Sequence, residues 1–134
     1  MITQNQLMQF ESDLSDLDAL IVRTLPNPEH KLHVDHSGTN PPYFEPEALS
    51  WLVAQGISHL LTDQPSVDPE EDDGKILAHK RFWEYPETEN RTRTITELIY
   101  VPDELADGLY LLDIQIAPFP MDAAPSRPMV FALT

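Results

Sequence analysis

HLLTDQPSVDPEEDDGKILAHKRFW, residues 59–83, followed shortly by TITEL at residues 94–98, runs from a strand end through an acidic loop and a helix into another strand. The segment ISHLLT at 57–62 is apolar almost throughout, as a central strand covered on both faces would be. Residues 63–73, DQPSVDPEEDD, have the composition of a fully exposed loop. From Gly74 onward, Ile76, Leu77, Lys80, Phe82 and Trp83 follow a helical pattern that carries His79. The acidic residues just before that helix complement its N-terminal dipole. Strand, helix and strand in succession define an α/β protein.

The flanking sequence extends this pattern in both directions. Upstream, a helix is predicted to start at Pro46, which suits the first helical position, and to stop before Gly56, with Leu49, Leu52 and Val53 as its buried stripe. DALIVRT at 18–24 reads as a strand, and Leu7, Phe10, Leu14 and Leu17 predict an amphipathic helix over 5–17. Between them and the Pro46 helix lies a long Pro- and Asn-bearing connection, of the length that is usually functional or held by contacts. Downstream, residues 92–101, 109–117 and 129–133 have the β-branched and aromatic content of three strands. The order α, β, α, β, α, β, β, β predicts one domain over 1–134, a mixed β-sheet with packed helices.

Composition narrows the classes of function. Eight Lys plus Arg against 23 Asp plus Glu give a formal charge of −15, which repels phosphate backbones and anionic lipid, so no nucleic-acid or membrane partner is expected. No apolar run reaches the ~18–20 residues of a membrane span. The chain has no Cys and starts without the basic and apolar stretches of an export signal, so a cytoplasmic location is expected. A Cys nucleophile, G-x-S-x-G, a P-loop and G-x-G-x-x-G are all missing from the sequence. The acidic run from Asp68 to Asp73 lacks the alternating ligands, central Gly and terminal Glu of an EF-hand and reads as a solvated helix start.

Two residue types remain that bear chemistry. His79 on a helix and Glu97 on the next strand can converge at one end of a sheet, where an imidazole and a carboxylate form a mixed N/O site suited to Zn²⁺ or Mn²⁺. On spacing alone, a His on an exposed helical face and a Glu at a strand edge are usually only solvated, and that is the commoner account of such a pair. His30, His33, His36 and His59 read as structural.

The blocks LIVRTLPN, SGTNPPYF, HLLTDQPSVD, GKILAHKRFW, TITELIYVP, DGLYLLDIQIAPF and DAAPSRPMVF, in this order over about residues 18–131, resemble the cyclase family of metal-dependent hydrolases, which includes the kynurenine formamidases (arylformamidases). The resemblance implies a swivelling β/β/α-like fold, of which the chain is expected to hold the later part and to be N-terminally incomplete. It implies a divalent metal, Zn or Mn, with His79 and Glu97 as ligands and an active-site loop contributing Asp63, Pro65, Ser66 and Asp68. The implied reaction is hydrolysis of a small N-formyl amide, ester or lactone-type substrate by a metal-activated water.

The family's principal motif, H-x-G-T-H-x-D with a further His, has no counterpart here. HSGTN at 36–40 begins like it, but Asn40, Pro42 and Pro46 stand where His, Asp and His are required. The expected partner is therefore an N-terminal half or a further copy of the chain, giving a homo-oligomer held by apolar contacts. The alternative is a truncated, non-catalytic member acting as an interaction or oligomerisation domain.

Overall fold

Leu60 and Leu61 are both completely buried although consecutive strand residues point to opposite faces, so the strand that carries them is covered on both sides. That strand, β2 (His59–Thr62), is the centre of a three-stranded parallel sheet, between β1 (Ala19–Val22) and β3 (Thr94–Thr96). Ala19 pairs with His59, and His59 with Thr94. The computed structural model describes residues 1–88 and 91–133. They fall into two compact units, Met1–Pro102 and Asp103–Thr134.

Within the first unit each parallel step is bridged by a helix, α2 (Pro46–Ala54) from β1 to β2 and α3 (Leu77–Trp83) from β2 to β3. Pro46 sits in the first turn of α2, and the helix ends in a Schellman motif: Gly56 N–H donates to Val53 O (3.0 Å) and Ile57 N–H to Leu52 O (3.1 Å). Gly56 takes φ +94°, a left-handed value that a side chain would strain. Ala48, Leu49 and Leu52 form the buried stripe, with Val53 half-buried. The two helices pack on each other, and Phe44, Leu49, Leu52, Ile57, Leu60, Val67, Ala78 and Phe82 form one core.

The N-terminal helix is shorter than its apolar spacing predicts. α1 (Gln4–Leu7) opens with a Thr3/Gln6 capping box, and the chain continues as a 3-10 helix over Met8–Asp13. Leu7 and Leu14 are buried while Phe10 is 57% exposed. The Ser and Asp side chains between them bond locally, as Ser12 does to Asp13, and such bonding competes with helix.

In the second unit β4 (Tyr110–Ile116) and β5 (Ser126–Ala132) form an antiparallel ribbon, with Tyr110 opposite Ala132 and Ile116 opposite Ser126. β5 starts three residues earlier than its apolar run and includes Pro128. A two-stranded ribbon has only edge strands, where a missing N–H is tolerated. Parallel and antiparallel pairings are thus both present, in two separate ladders of an α/β protein. No helix among the described residues is long and apolar enough to cross a membrane.

Phe82 is the largest fully buried side chain of α3. Phe82→Ala is expected to lower the unfolding free energy by about 3–5 kcal/mol. Phe10→Ala, at an exposed position, should change it by less than about 0.5 kcal/mol. Urea denaturation compares them, and equal costs would contradict this account of the core.

Candidate metal centre

The three parallel strands end along one edge of their sheet, and polar side chains stand just past each of those ends. Ligands in open α/β sheets gather at this edge. Thr24 follows β1, Asp63 and Gln64 follow β2, and Glu97 follows β3.

Asp63 is enclosed by its own chain. Its side chain is 1% exposed, and it accepts hydrogen bonds from Lys31 Nζ (2.6 Å), Thr24 N–H (2.7 Å) and Gln64 Nε2 (2.9 Å). Lys31 also donates to Thr24 O (2.9 Å). This buried ion pair ties the long connection after β1 to the end of β2. Asp63's acceptor sites are therefore occupied by neighbours from the fold.

The acidic loop is not exposed as its composition predicts. Asp63, Gln64, Val67 and Asp68 are all buried. The reason is bonding on both sides: Phe44 N–H donates to Val67 O (2.9 Å), Leu98 N–H donates to Gln64 O (3.0 Å), and Val67 N–H donates to Glu97 Oε1 (2.9 Å). Pro65 is half-buried, and Ser66 Oγ accepts from Asp68 N–H (3.0 Å), which closes the turn locally. Glu70 is exposed but also recruited, accepting from Gly38 and Asn40 N–H. HSGTN thus forms a structural turn held from the acidic run.

Asp68 governs the helix that follows. α3 has no side-chain cap at Ile76; instead Asp68, reaching across the loop, accepts from Ala78 N–H (2.7 Å) and His79 N–H (3.2 Å). The same carboxylate lies 2.6 Å from His79 Nδ1. Burial alone would raise the Asp68 pKa, but the His79 ring and the two helix N–H groups outweigh it and hold the carboxyl below its ordinary value. An ionised carboxylate can only accept, so Nδ1 carries the proton. The other ring nitrogen, Nε2, faces Glu97 Oε1 at 3.4 Å. Burial pushes Glu97 above the usual carboxylate value, against the lowering effects of Val67 N–H and His79. Trp83, one turn on, sets its ring 5.1 Å from the imidazole at 55°.

His79 and Glu97, far apart in sequence, are therefore brought together, and Asp68 joins them on the opposite side of the ring. Pro65 and Ser66 shape the loop, and Asp63 belongs to the separate Lys31 cluster. The geometry suits two ligands of one cation: donors bound at ~2.0–2.1 Å at a tetrahedral angle stand about 3.3 Å apart, close to the observed 3.4 Å. A carboxylate on the second nitrogen of a ligating His is the usual outer partner of such a site. Among the described residues no three His, Asp or Glu side chains are grouped to hold a metal ion. The Asp68 cap and the Val67 N–H were not legible in the sequence.

Fold and site together define an α/β protein with a carboxylate–imidazole–carboxylate array at the carboxyl edge of a parallel sheet. A family model described as "Putative cyclase" matches residues 1–69, half of the chain, and the chain belongs to that cyclase family. The matched segment includes Asp63, Pro65, Ser66 and Asp68 and stops short of His79 and Glu97. No curated protein matches the chain.

The two carboxylates have opposite acid–base signatures. Asp68, depressed in the folded state, contributes stability above its unfolded pKa that is lost as pH falls through the folded value; Glu97, raised, contributes stability below its unfolded pKa that is lost as pH rises through the folded value. Asp68→Asn should therefore flatten the acid limb of a stability–pH profile. Glu97→Gln should gain on the wild type as pH rises from about 4 to 7. Thermal unfolding across that range checks both, and a Glu97→Gln disadvantage that grows with pH would refute the second.

Proposed function

We propose that this cyclase-family chain contributes two metal ligands, His79 Nε2 and Glu97 Oε1, to a hydrolase acting on a small N-formyl amide, ester or lactone-type substrate. The observation that supports it is the 3.4 Å approach of these two donors with Asp68 fixed on the far side of the ring. Zn²⁺ or Mn²⁺ suits the mixed N/O donor set. Bound there, such a cation supplies Lewis acidity and a water of lowered pKa, near ~7 for zinc.

The chain's own residues prepare that chemistry. Asp68 keeps the proton on Nδ1, which leaves the Nε2 lone pair directed at the site. Val67 N–H holds Glu97 Oε1 beside it. Partial burial of Glu97 without a full positive partner leaves the site short of positive charge, which a cation would supply. A catalytic zinc commonly takes three protein ligands plus an open position. The third ligand and the proton donor therefore come from outside the described residues, from an N-terminal half bearing H-x-G-T-H-x-D or from another chain.

The test is metal retention with turnover. The chain alone should hold Zn²⁺ or Mn²⁺ weakly after dialysis, lose it on His79→Ala or Glu97→Ala, and show negligible hydrolysis of an N-formyl aromatic amine. Supplying an N-terminal half with the missing motif should restore activity. Metal retention indifferent to both substitutions would move the site elsewhere.

A second role, self-association, is favoured by the ribbon of the second unit. Leu111 and Phe131 face each other across it at 60% and 50% exposure, and Leu109 and Leu133 extend the apolar strip. An isolated ribbon is marginal in water, and an exposed strip of this kind usually marks an interface. We propose a homodimer or larger species opposed by the −15 charge per chain, so that salt strengthens it by screening. Light scattering over a salt series, with Phe131→Asp as the disrupting variant, decides it: a wild-type monomer at both low and high salt would end the proposal.

A further inference from the structure

Six non-glycine residues in the described chain have positive φ: Asp16, Asn40, Asp73, Ile76, Glu84 and Leu98. Asp and Asn tolerate the left-handed region, and Glu84 closes the C-terminus of α3, where that conformation is common. Ile76 and Leu98 have neither excuse. Ile76 (φ 42°) begins the helix that carries His79, and Leu98 (φ 56°) directly follows Glu97. Strained backbone of this kind persists only where the surroundings over-determine it, and it gathers at functional sites.

Leu98 also marks a break in the sheet. Thr94 N–H donates to Ser58 O (3.0 Å), and Leu61 pairs with Thr96. Carrying that parallel ladder on in steps of two would bring Leu98 N–H to Thr62 O. Instead Ile99 N–H donates to Thr62 O (3.2 Å), one residue late, while Leu98 N–H donates to Gln64 O (3.0 Å). One extra residue has been inserted into β3's continuation, a bulge at Glu97 and Leu98. Bulges bend a strand and re-aim its side chains. Here the re-aimed side chain is Glu97, which accepts from Val67 N–H and faces His79. The Leu98 side chain is 63% exposed, so packing of the leucine itself does not account for its conformation.

We propose that Leu98 is a positioning residue: the one-residue bulge made by its left-handed backbone aims Glu97 at His79 and so sets the affinity of the site. The proposal rests on the metal-ligand role proposed for Glu97 and His79. Its requirement is conformational, so residues that accept positive φ should serve in place of leucine, and β-branched residues should not.

The experiment uses the full chain with Leu98→Gly and Leu98→Asn against Leu98→Val and Leu98→Thr. Two quantities are measured, Zn²⁺ affinity by calorimetry and protection of the Val67 amide by hydrogen-exchange NMR, with amides of the β1–β2 ladder as the folding control. Gly and Asn should keep Zn²⁺ affinity within about twofold and leave Val67 protected; Val and Thr should weaken Zn²⁺ by about tenfold or more and expose Val67, the scale of losing a group that orients a ligand. If the Val and Thr variants lose the ladder itself, Leu98→Ala, which disfavours positive φ less severely, takes their place with the same expectation in smaller measure. Wild-type affinity and Val67 protection in the disfavoured variants, or loss of both in Gly and Asn, would overturn the proposal. If the wild-type chain takes up no Zn²⁺, the metal reading fails, and the Val67 amide alone decides for or against Leu98.

Discussion

The buried carboxylate of Asp68 is the constraint on which the rest of this site depends. Taking a carboxylate out of water is costly unless donors replace the hydration, and Asp68 finds three: two N–H groups at the start of α3 and the His79 ring. One group therefore starts a helix that has no cap of its own, selects the proton position on the imidazole, and pins the acidic loop inward. With the loop pinned, Val67 enters the core and its N–H reaches Glu97. Helix, loop and strand end are coupled through this single side chain.

The environments of the two carboxylates flanking His79 push their pKa values apart. Asp68 is satisfied and stays ionised; Glu97 is partly buried with one backbone donor and is pushed toward its neutral form. Pairs of titratable groups separated in this way commonly divide the labour of a site. Asp68 acts as a fixed orienting charge. Glu97 is the carboxylate left in need of a positive partner, which agrees with the ligand role proposed for it.

The parallel sheet supplies the frame. Because β1, β2 and β3 run the same way, their carboxyl ends share an edge, and the polar residues just beyond them become neighbours although they are distant in the chain. Along this edge the fold makes two clusters of different character. The Lys31–Asp63 pair is internally neutral and fully bonded, a strut between the connection after β1 and the end of β2. The Asp68–His79–Glu97 array sets two carboxylates against one imidazole. The presence or absence of an internal counter-charge separates the two clusters.

Much of the frame was legible in the residues. Pro46 and Gly56 bracket α2 because fixed φ suits a helix start and positive φ suits its end. Leu60 and Leu61 together announce a strand buried on both faces, and the order of strands and helices set the fold class. His79 and Glu97 stood out by residue type and by their places in the resemblance. The burial of the 63–68 loop was hidden, since composition measures the cost of taking each residue out of water alone, and Asp68 meets that cost with donors ten and eleven positions away. The length of β3 was equally hidden: TITELIYVP has strand propensity throughout, but hydrogen bonds from Leu98 and Ile99 to a neighbouring segment end the regular ladder at Thr96. Which carboxylate stays ionised, which is pushed toward its neutral form, and where the strand bends were decided by tertiary structure alone, because each depends on partners that only folding brings within hydrogen-bond reach.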